Sequence, residues 1–485
     1  MSEIGDSSDS KPPNILLVVL DSVRAKNCST YGYSQKTTPY LTKFAKGATL
    51  YEQARSPSIH SISSHASIFS GYHVEEHNVI EHTSYLDPTY NIWHELGQEY
   101  GYETGIFSPN VVITETSNLS GCFDTKVGPK RTNFKIFEMG GSPLDIQGKV
   151  DPVQYLRYAL RHDRPVRSVL NGLYSRFTSR GGAHNPEKEG GDVYVDELLD
   201  WITGRDGQWA ACLNLMDAHS PYEPERQYNQ WGDQNLAELY QEVQNASKID
   251  SFSKEFWEKL SALEPLYDGC IRQADAAVEQ LVEGLRQEGE LENTFLVITS
   301  DHGEGFGEPS RLTSARLRSH SWGIGEVLTQ VPLLVKKPGQ TQGSRIERVA
   351  SLTQFPDVVR SVVEDGESTF VPEDKPVVSS TFRIMPPGNE LPLDEGEREP
   401  YFGPWRAVYR DSKDGVLKFA SRREDMCSLR IRGTEVTEIS IADSKKINEE
   451  VFDRMTDSGV KLGKSDERDV SEDVEDRLAD LGYLR

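Results

Sequence analysis

One run constrains this chain more than any other: Asn14-Ile-Leu-Leu-Val-Val-Leu20, followed at once by Asp21-Ser22. Everything after Asn14 is apolar, with no alternation of wet and dry positions. A strand with one solvated face alternates; a continuous apolar run bounded by polar residues reads as a strand buried on both faces. Such strands belong to parallel sheets with helices packed above and below. The segment therefore predicts a central parallel strand whose polar residues begin at its carboxyl end.

The rest of the chain continues that scheme. A helix is predicted from near Pro39, with Leu41, Phe44 and Ala45 on one face, and a strand over Ala48 to Ala54. Ile92 to Leu96 reads as helix and Thr104 to Phe107 as strand. A helix over Val193 to Ile202 leads into a strand over Trp209 to Met216. A long amphipathic helix runs from Phe256 to Glu288, interrupted at Pro265, and feeds a strand over Thr294 to Thr299. Val331 to Val335 is another strand, and Pro356 to Val363 another helix. Strands alternating with helices predict an α/β fold with a mostly parallel sheet. After residue 366 the pattern changes. Asn389 to Pro400 is acidic and proline-containing, a loop. Short strand-like runs follow at Trp405 to Tyr409, Val416 to Ala420, Ser428 to Arg432 and Glu435 to Ile441, with helices at Ile447 to Met455 and Val474 to Leu481. The predicted organisation is a disordered tail over 1–13, a main domain over 14–370 with an insertion at 130–192, and a small α+β subdomain over 371–485 containing an antiparallel sheet.

Charge narrows the function classes. The 485 residues carry 77 acidic against 53 basic side chains, a net charge of −24. That field repels nucleic-acid backbones, so no nucleic-acid partner is expected. It also suits a protein that stays soluble in high salt, a halophilic character. No apolar run reaches the ~18 residues of a membrane-spanning helix. Residues 1–13 lack the basic and apolar regions of a secretory signal, so a cytoplasmic location is expected. The five cysteines are odd in number and none forms a CxxC pair, which predicts reduced thiols and neither disulfides nor a zinc ribbon. One segment runs against the acidic trend. Tyr155 to Arg180 holds six arginines and one aspartate, interleaved with Tyr158, Leu160, Val169, Leu170, Leu173 and Phe177. It reads either as a helical insertion packed on the main domain, arginines outward, or as an amphipathic segment touching anionic lipid or a polyanionic substrate.

In parallel α/β sheets, ligands bind beyond the carboxyl ends of the strands. Polar clusters stand at three such ends: Asp21-Ser22, Asp217-Ala-His219, and Asp301-His302-Gly303-Glu304. A fourth, Ser56 to His65, precedes a short helical run, Ala66 to Ser70, that stops at Gly71. A single aspartate after a strand is often only a helix cap. Four clusters on one predicted edge point to a site.

These residues carry a resemblance. Val18-Val-Leu-Asp-Ser-Val-Arg24 with Tyr31-Gly-Tyr33 and Thr38-Pro39 resembles the opening of the sulfatase branch of the alkaline-phosphatase superfamily. Ser61-Ile-Ser-Ser-His-Ala-Ser-Ile-Phe-Ser-Gly71 falls where sulfatases carry a Cys/Ser-x-Pro-x-Arg signature. Asn214 to Tyr222 is similar to the family's His-x-Pro-Tyr segment, and Thr299 to Glu304 to its Asp-Asn/His-Gly metal motif. Val331 to Val335 and Asp480 to Leu484 fit as well. The resemblance implies an alkaline-phosphatase-like large mixed sheet flanked by helices. It also implies a metal-dependent hydrolase.

Within that resemblance, Asp21, Asp301 and His302 are the candidate ligands of one divalent cation, with Ser61 as neighbour or ligand. Many sulfatases hold calcium with oxygen ligands alone. Here Ser22 stands at an acidic position and His302 at an asparagine position, and an imidazole shifts the preference from calcium toward manganese or zinc. Ser61 occupies the nucleophile position. In sulfatases that residue becomes formylglycine, but the conversion signature needs Pro or Ala and Arg where this chain has Ser63 and His65. An unmodified serine is expected, activated by the cation and by the following helix N-terminus. Ser56, Ser58, Ser63 and Ser64 compete for the role. The expected course is attack of Ser61 on sulfur or phosphorus, departure of the alcohol, and displacement of the seryl ester by water or an acceptor alcohol. His65, His219 and His320 are the candidates to donate to nonbridging oxygens or to the leaving group. No clear lysine takes the places where sulfatases usually carry two. Asp217, His219 and His320 are candidates for a second metal, though their spacing differs from that of two-metal phosphodiesterases. The remaining histidines, at positions 60, 73, 77, 82, 94, 162 and 184, read as surface or core residues, His60 the least securely.

Three functions follow. The first is a sulfate-ester hydrolase acting on a small-molecule or glycan ester through a covalent seryl intermediate. The second is a phosphodiesterase or a phosphoglycerol- or phosphoethanolamine-type transferase on the same fold. The third is a non-catalytic anion-binding relative.

Overall fold

The computed structural model describes residues 12–462 apart from 83, 130–151, 163, 170–188, 247–249, 365, 374, 383–392, 394 and 442. By contacts the chain divides into two compact units. Residues up to Gly128 and from Gly191 onward form one, and Pro129–Gly190 the other.

The larger unit is built on an eight-stranded sheet. In chain order its strands are β1 (Asn14–Leu20), β2 (Thr49–Arg55), β3 (Glu103–Phe107), β4 (Thr125–Val127), β5 (Trp209–Leu215), β6 (Thr294–Thr299), β7 (Leu333–Lys336) and β8 (Ser344–Ser351). Their spatial order is β8-β2-β7-β6-β1-β5-β3-β4. All run parallel except β7, which is antiparallel to both β6 and β2. This is the mixed, mostly parallel sheet the sequence implied. β1 lies at its centre between β6 and β5.

Burial explains why β1 is apolar throughout. Leu16, Val18 and Leu20 join one hydrophobic cluster, with the helices Gly191–Ile202 and Glu264–Gln287. Ile15, Leu17 and Val19 join the cluster on the opposite face, with the helices Ser61–Ser70, Ile92–Gln98 and Phe355–Val363. Each such side chain contributes about 1.5–3 kcal/mol by leaving water. The predicted long helix is two helices, Lys254–Ser261 and Glu264–Gln287, and Pro265 sits in the first turn of the second. A proline there costs no intrahelical hydrogen bond, since that N–H would lack a partner anyway.

The C-terminal part is a five-stranded antiparallel sheet, β9 (Val377–Thr381), β10 (Trp405–Ser412), β11 (Gly415–Arg422), β12 (Asp425–Arg432) and β13 (Glu435–Ile439), in sequential order. The helix Ser444–Phe452 covers one face through Phe452, against Val378, Val408 and Phe419. β9 is tied to the chain just after β2: Ser380 N–H donates to the Pro57 carbonyl at 2.9 Å, and Ser379 Oγ donates to the Ser56 carbonyl at 2.5 Å. The predicted helix at Val474 to Leu481 and the segment Asp480 to Leu484 lie outside the described residues. The five cysteines are free thiols, four of them buried. Among the described residues, no helix is long and apolar enough to cross a membrane.

Candidate active site at the carboxyl edge of the sheet

β1, β5 and β6 are neighbours, so the residues that follow them meet at one edge. Asp21 follows β1, His219 follows β5, and Asp301-His302 follow β6. Ser61 arrives from the loop after β2. The sequence suggested a helix only from Ala66, but the helix begins at Ser61, with His60 as its N-cap. The serines of this stretch then part company. Ser56 Oγ donates to the Asp301 carbonyl, Ser63 Oγ to the Val79 carbonyl, and Ser64 Oγ to the Ser58 carbonyl. Ser61 Oγ instead lies 3.3 Å from His302 Nε2.

Three ligand atoms from Asp21, Asp301 and His302 lie within 4.8 Å of one another, and all three residues are buried. His302 Nδ1 faces the Gly303 carbonyl at 2.9 Å. A carbonyl only accepts, so Nδ1 carries the hydrogen and the Nε2 lone pair points toward Ser61 and the two carboxylates. Asp301 Oδ1 accepts from the backbone N–H groups of Ser22 at 3.3 Å and His302 at 3.0 Å. Its other oxygen, Oδ2, is buried and accepts no hydrogen bond of ordinary geometry. A buried carboxylate oxygen without a donor is costly unless a cation meets it. Two carboxylates and an imidazole lone pair converging in this way fit one divalent cation. Ser22 reaches Asp301 from a left-handed backbone, φ +64°, and its hydroxyl donates to Asp21 Oδ1 at 2.9 Å. Gly303 has a local reason too: a Cβ there would collide with the Val327 carbonyl.

The two carboxylates differ electrostatically. Burial and the Asp21 charge push the Asp301 carboxyl up to about 7. Burial also works against ionisation of Asp21, but His219, His302 and His65, which attract it when protonated, and the Ser22 hydroxyl outweigh that and hold Asp21 below the usual carboxylate range. A shared cation would relieve the repulsion between them.

The histidines separate into two roles. His60, His219 and His302 surround His320, with ring centroids 6.0, 5.2 and 4.5 Å from it. His219 Nδ1 donates to the Ser220 carbonyl at 2.7 Å, and burial holds its pKa below the ordinary value. His320 Nδ1 lies 3.4 Å from Glu304 Oε2. His65 stands elsewhere. One turn beyond Ser61, its Nδ1 donates to the Ser61 carbonyl at 2.9 Å and lies 3.7 Å from Asp301 Oδ2, with its ring edge-on to Phe69.

Asp217 lies outside the group of three ligand residues, Asp21, Asp301 and His302, whose atoms stand within 4.8 Å of one another. Its Oδ1 accepts from Gly191 N–H at 3.1 Å and from Gln273 Nε2 at 2.8 Å, so it anchors the helix Gly191–Ile202. Glu304, named in the Asp301 cluster but given no role, backs His320. His60, the least secure of the histidines read as bland, belongs with the histidine group. Asn110, not singled out from sequence, donates to Asp21 Oδ2. Asn110 follows β3 at the same sheet edge, so the strand-end rule that flagged the aspartates would also have flagged it.

The sulfatase family model matches residues 13–363. An arylsulfatase of Clostridium perfringens is 24% identical over 347 residues, covering 67% of this chain and 69% of that protein. Arylsulfatase K of Bos taurus is 21% identical over 398 residues, covering 81% and 69%. Among solved structures, the phosphonate monoester hydrolase of Agrobacterium radiobacter superposes with a TM-score of 0.58 at 16% identity, covering 97% of this chain and 95% of that one. BT4656, in complex with its substrate D-glucosamine-2-N,6-O-disulfate, gives 0.57 at 15% identity, covering 97% and 98%. With a family model spanning most of its length and the sheet and edge described above, this chain belongs to the sulfatase family.

Proposed function

We propose that the protein hydrolyses a sulfate ester with Ser61 as an unmodified nucleophile. The observation that carries the reading is the Ser61 Oγ to His302 Nε2 approach of 3.3 Å, beside two buried carboxylates, in a chain of this family. The chain is a sulfuric ester hydrolase, and its substrate is a small-molecule or glycan ester.

Asp21, Asp301 and His302 would hold the divalent cation, and the imidazole favours manganese or zinc over calcium. A cation there would lower the pKa of a nearby hydroxyl and offset charge on the ester oxygens. Ser61 stands on the first turn of a ten-residue helix, where the helix dipole favours negative charge on its oxygen. Its Oγ, its proton given up to solvent, forms a bond to sulfur as the ester oxygen departs, and the leaving oxygen takes a proton from His320. Glu304 orients His320 for that transfer. Water then attacks the seryl sulfate, releasing sulfate and restoring the Ser61 hydroxyl. His65 supports this machinery from behind, by fixing the Ser61 backbone and facing Asp301.

Parallel turnover of an aryl sulfate and a bis-aryl phosphate tests the reading. Preferred turnover of the sulfate, lost in Ser61→Ala, supports it. Preferred turnover of the phosphate would replace it with a phosphodiesterase, and no turnover of either with a non-catalytic anion-binding protein.

A further inference from the structure

The smaller unit carries a surface that the catalytic reading leaves unused. Its helix Pro152–Arg161 turns Tyr155 and Ala159 inward, at 8% and 0% exposure. Tyr155 OH donates to the Ser168 carbonyl at 2.5 Å, pinning the next turn to the helix. The outer side is the anomaly. Leu156, Leu160 and Val166 are 47%, 61% and 72% exposed. Only three other large hydrophobic residues among those described stand out as exposed, Tyr90, Phe402 and Leu462, and all belong to the larger unit. Arg157, Arg161, Arg164 and Arg167 are exposed beside the three apolar side chains.

A helix whose outer face meets only water is polar there. Here leucines four residues apart face out, and each is followed by an arginine. Apolar side chains flanked by long cationic ones suit one environment well, the boundary between lipid acyl chains and acidic headgroups. The leucines enter the apolar layer, and the arginine stems lie along it while their guanidinium groups reach phosphate. Charge sharpens the choice. The chain as a whole is at −24, yet Tyr155 to Arg180 holds six arginines to one aspartate. The body's repulsion is screened within ~10 Å at 0.1 M salt, so contact through this basic island is not forbidden by the net charge. A second copy of the chain would bring the same acidic body and no acyl layer for the leucines.

We propose that the face bearing Leu156, Arg157, Leu160, Arg161, Val166 and Arg167 docks the protein peripherally on anionic phospholipid.

Co-sedimentation of the full chain with phosphatidylcholine vesicles, with and without phosphatidylglycerol, tests this. Binding is expected only with phosphatidylglycerol, and it should weaken sharply between ~0.1 M and ~1 M salt as the screening length falls from ~10 to ~3 Å. Each arginine near such a surface contributes about fivefold in affinity, so Arg157→Gln/Arg161→Gln should bind about 25-fold more weakly. Leu156→Ser/Leu160→Ser should also weaken binding, with circular dichroism and turnover of a soluble aryl ester unchanged. The wild-type lipid and salt series decides the matter even if a variant misfolds. Equal binding to both vesicle types, or none at low salt, overturns the proposal. So does self-association in the ultracentrifuge that the leucine variant abolishes. A raised KM for a soluble anionic ester in the arginine variant, with vesicle binding intact, would place the arginines at the substrate instead.

Discussion

Asn110 Nδ2 donates to Asp21 Oδ2 at 3.0 Å, while Asn110 Oδ1 accepts from the Val112 N–H at 2.9 Å. The amide is thus fixed at both ends. Together with the Ser22 hydroxyl on Oδ1 it sets the plane of the Asp21 carboxylate. Partners of this kind orient ligands, and losing one typically costs ~10- to 100-fold in metal affinity. Asn110→Ala should weaken manganese or zinc binding by about that factor in calorimetry. Unchanged affinity would show that Asp21 needs no such support.

Asp301 should matter more. Its Oδ2 is the buried oxygen without a donor, and removing it leaves one carboxylate and one imidazole. Asp301→Ala should show no measurable stoichiometric binding of the cation and nearly no turnover. Wild-type calorimetry in that variant would remove the residue from the ligand set.

Ser61 should remain serine in the purified protein. Peptide mass spectrometry checks this, because conversion to the aldehyde lowers the residue mass by about 2 Da. An aldehyde at 61 would overturn the unmodified-serine reading while leaving sulfate-ester hydrolysis in place.

Acid should destabilise the fold through His77. This buried imidazole donates Nε2–H to Ser67 Oγ at 2.8 Å and accepts the Val79 N–H on Nδ1 at 2.9 Å. Burial, then nearby His73, holds its pKa down to about 3. The unfolded chain takes the proton near 6.5, so His77's contribution is full above that pH and is lost progressively as the pH falls toward 3. His73, held down to about 4 by burial and then Lys375, acts over an overlapping window. Urea midpoints should fall between pH 6.5 and 4, and His77→Gln should flatten that slope. An identical slope in the variant would refute the assignment.

Glu326 should be costly to neutralise. It forms an ion pair with Arg55 at 3.0 Å and accepts from Lys418 at 2.7 Å, all three buried, and so joins the end of β2 to β11. Glu326→Gln leaves two buried cations without their counter-charge, a loss of about 3–5 kcal/mol. Chemical denaturation measures it, and a change under 1 kcal/mol would mean water reaches the cluster.

Much of the frame was readable in advance, for a local reason. β1 and β6 are buried on both faces, so their residues are apolar whichever strands lie beside them, and Thr294 to Thr299 was read with its observed limits. β8 was missed because its first five residues are partly or fully exposed and polar. β9, Val-Val-Ser-Ser-Thr, was missed because the buried hydroxyls of Ser379 and Ser380 find distant partners, the Ser56 carbonyl and Glu75.

The sequence alone determined that a parallel sheet would present acidic and histidine clusters at its carboxyl edge, because burial patterns and strand ends are local properties. Which clusters share one site was decided by strand order. β6-β1-β5 adjacency brings Asp301 and His302 to Asp21, and the loop after β2 brings Ser61 within 3.3 Å of a histidine 241 residues away in sequence. The same geometry turned Asp217 toward Gly191 and Gln273 and brought in the unflagged Asn110. Residue type states what a side chain is able to bind. Only the packing of distant strands states what it meets.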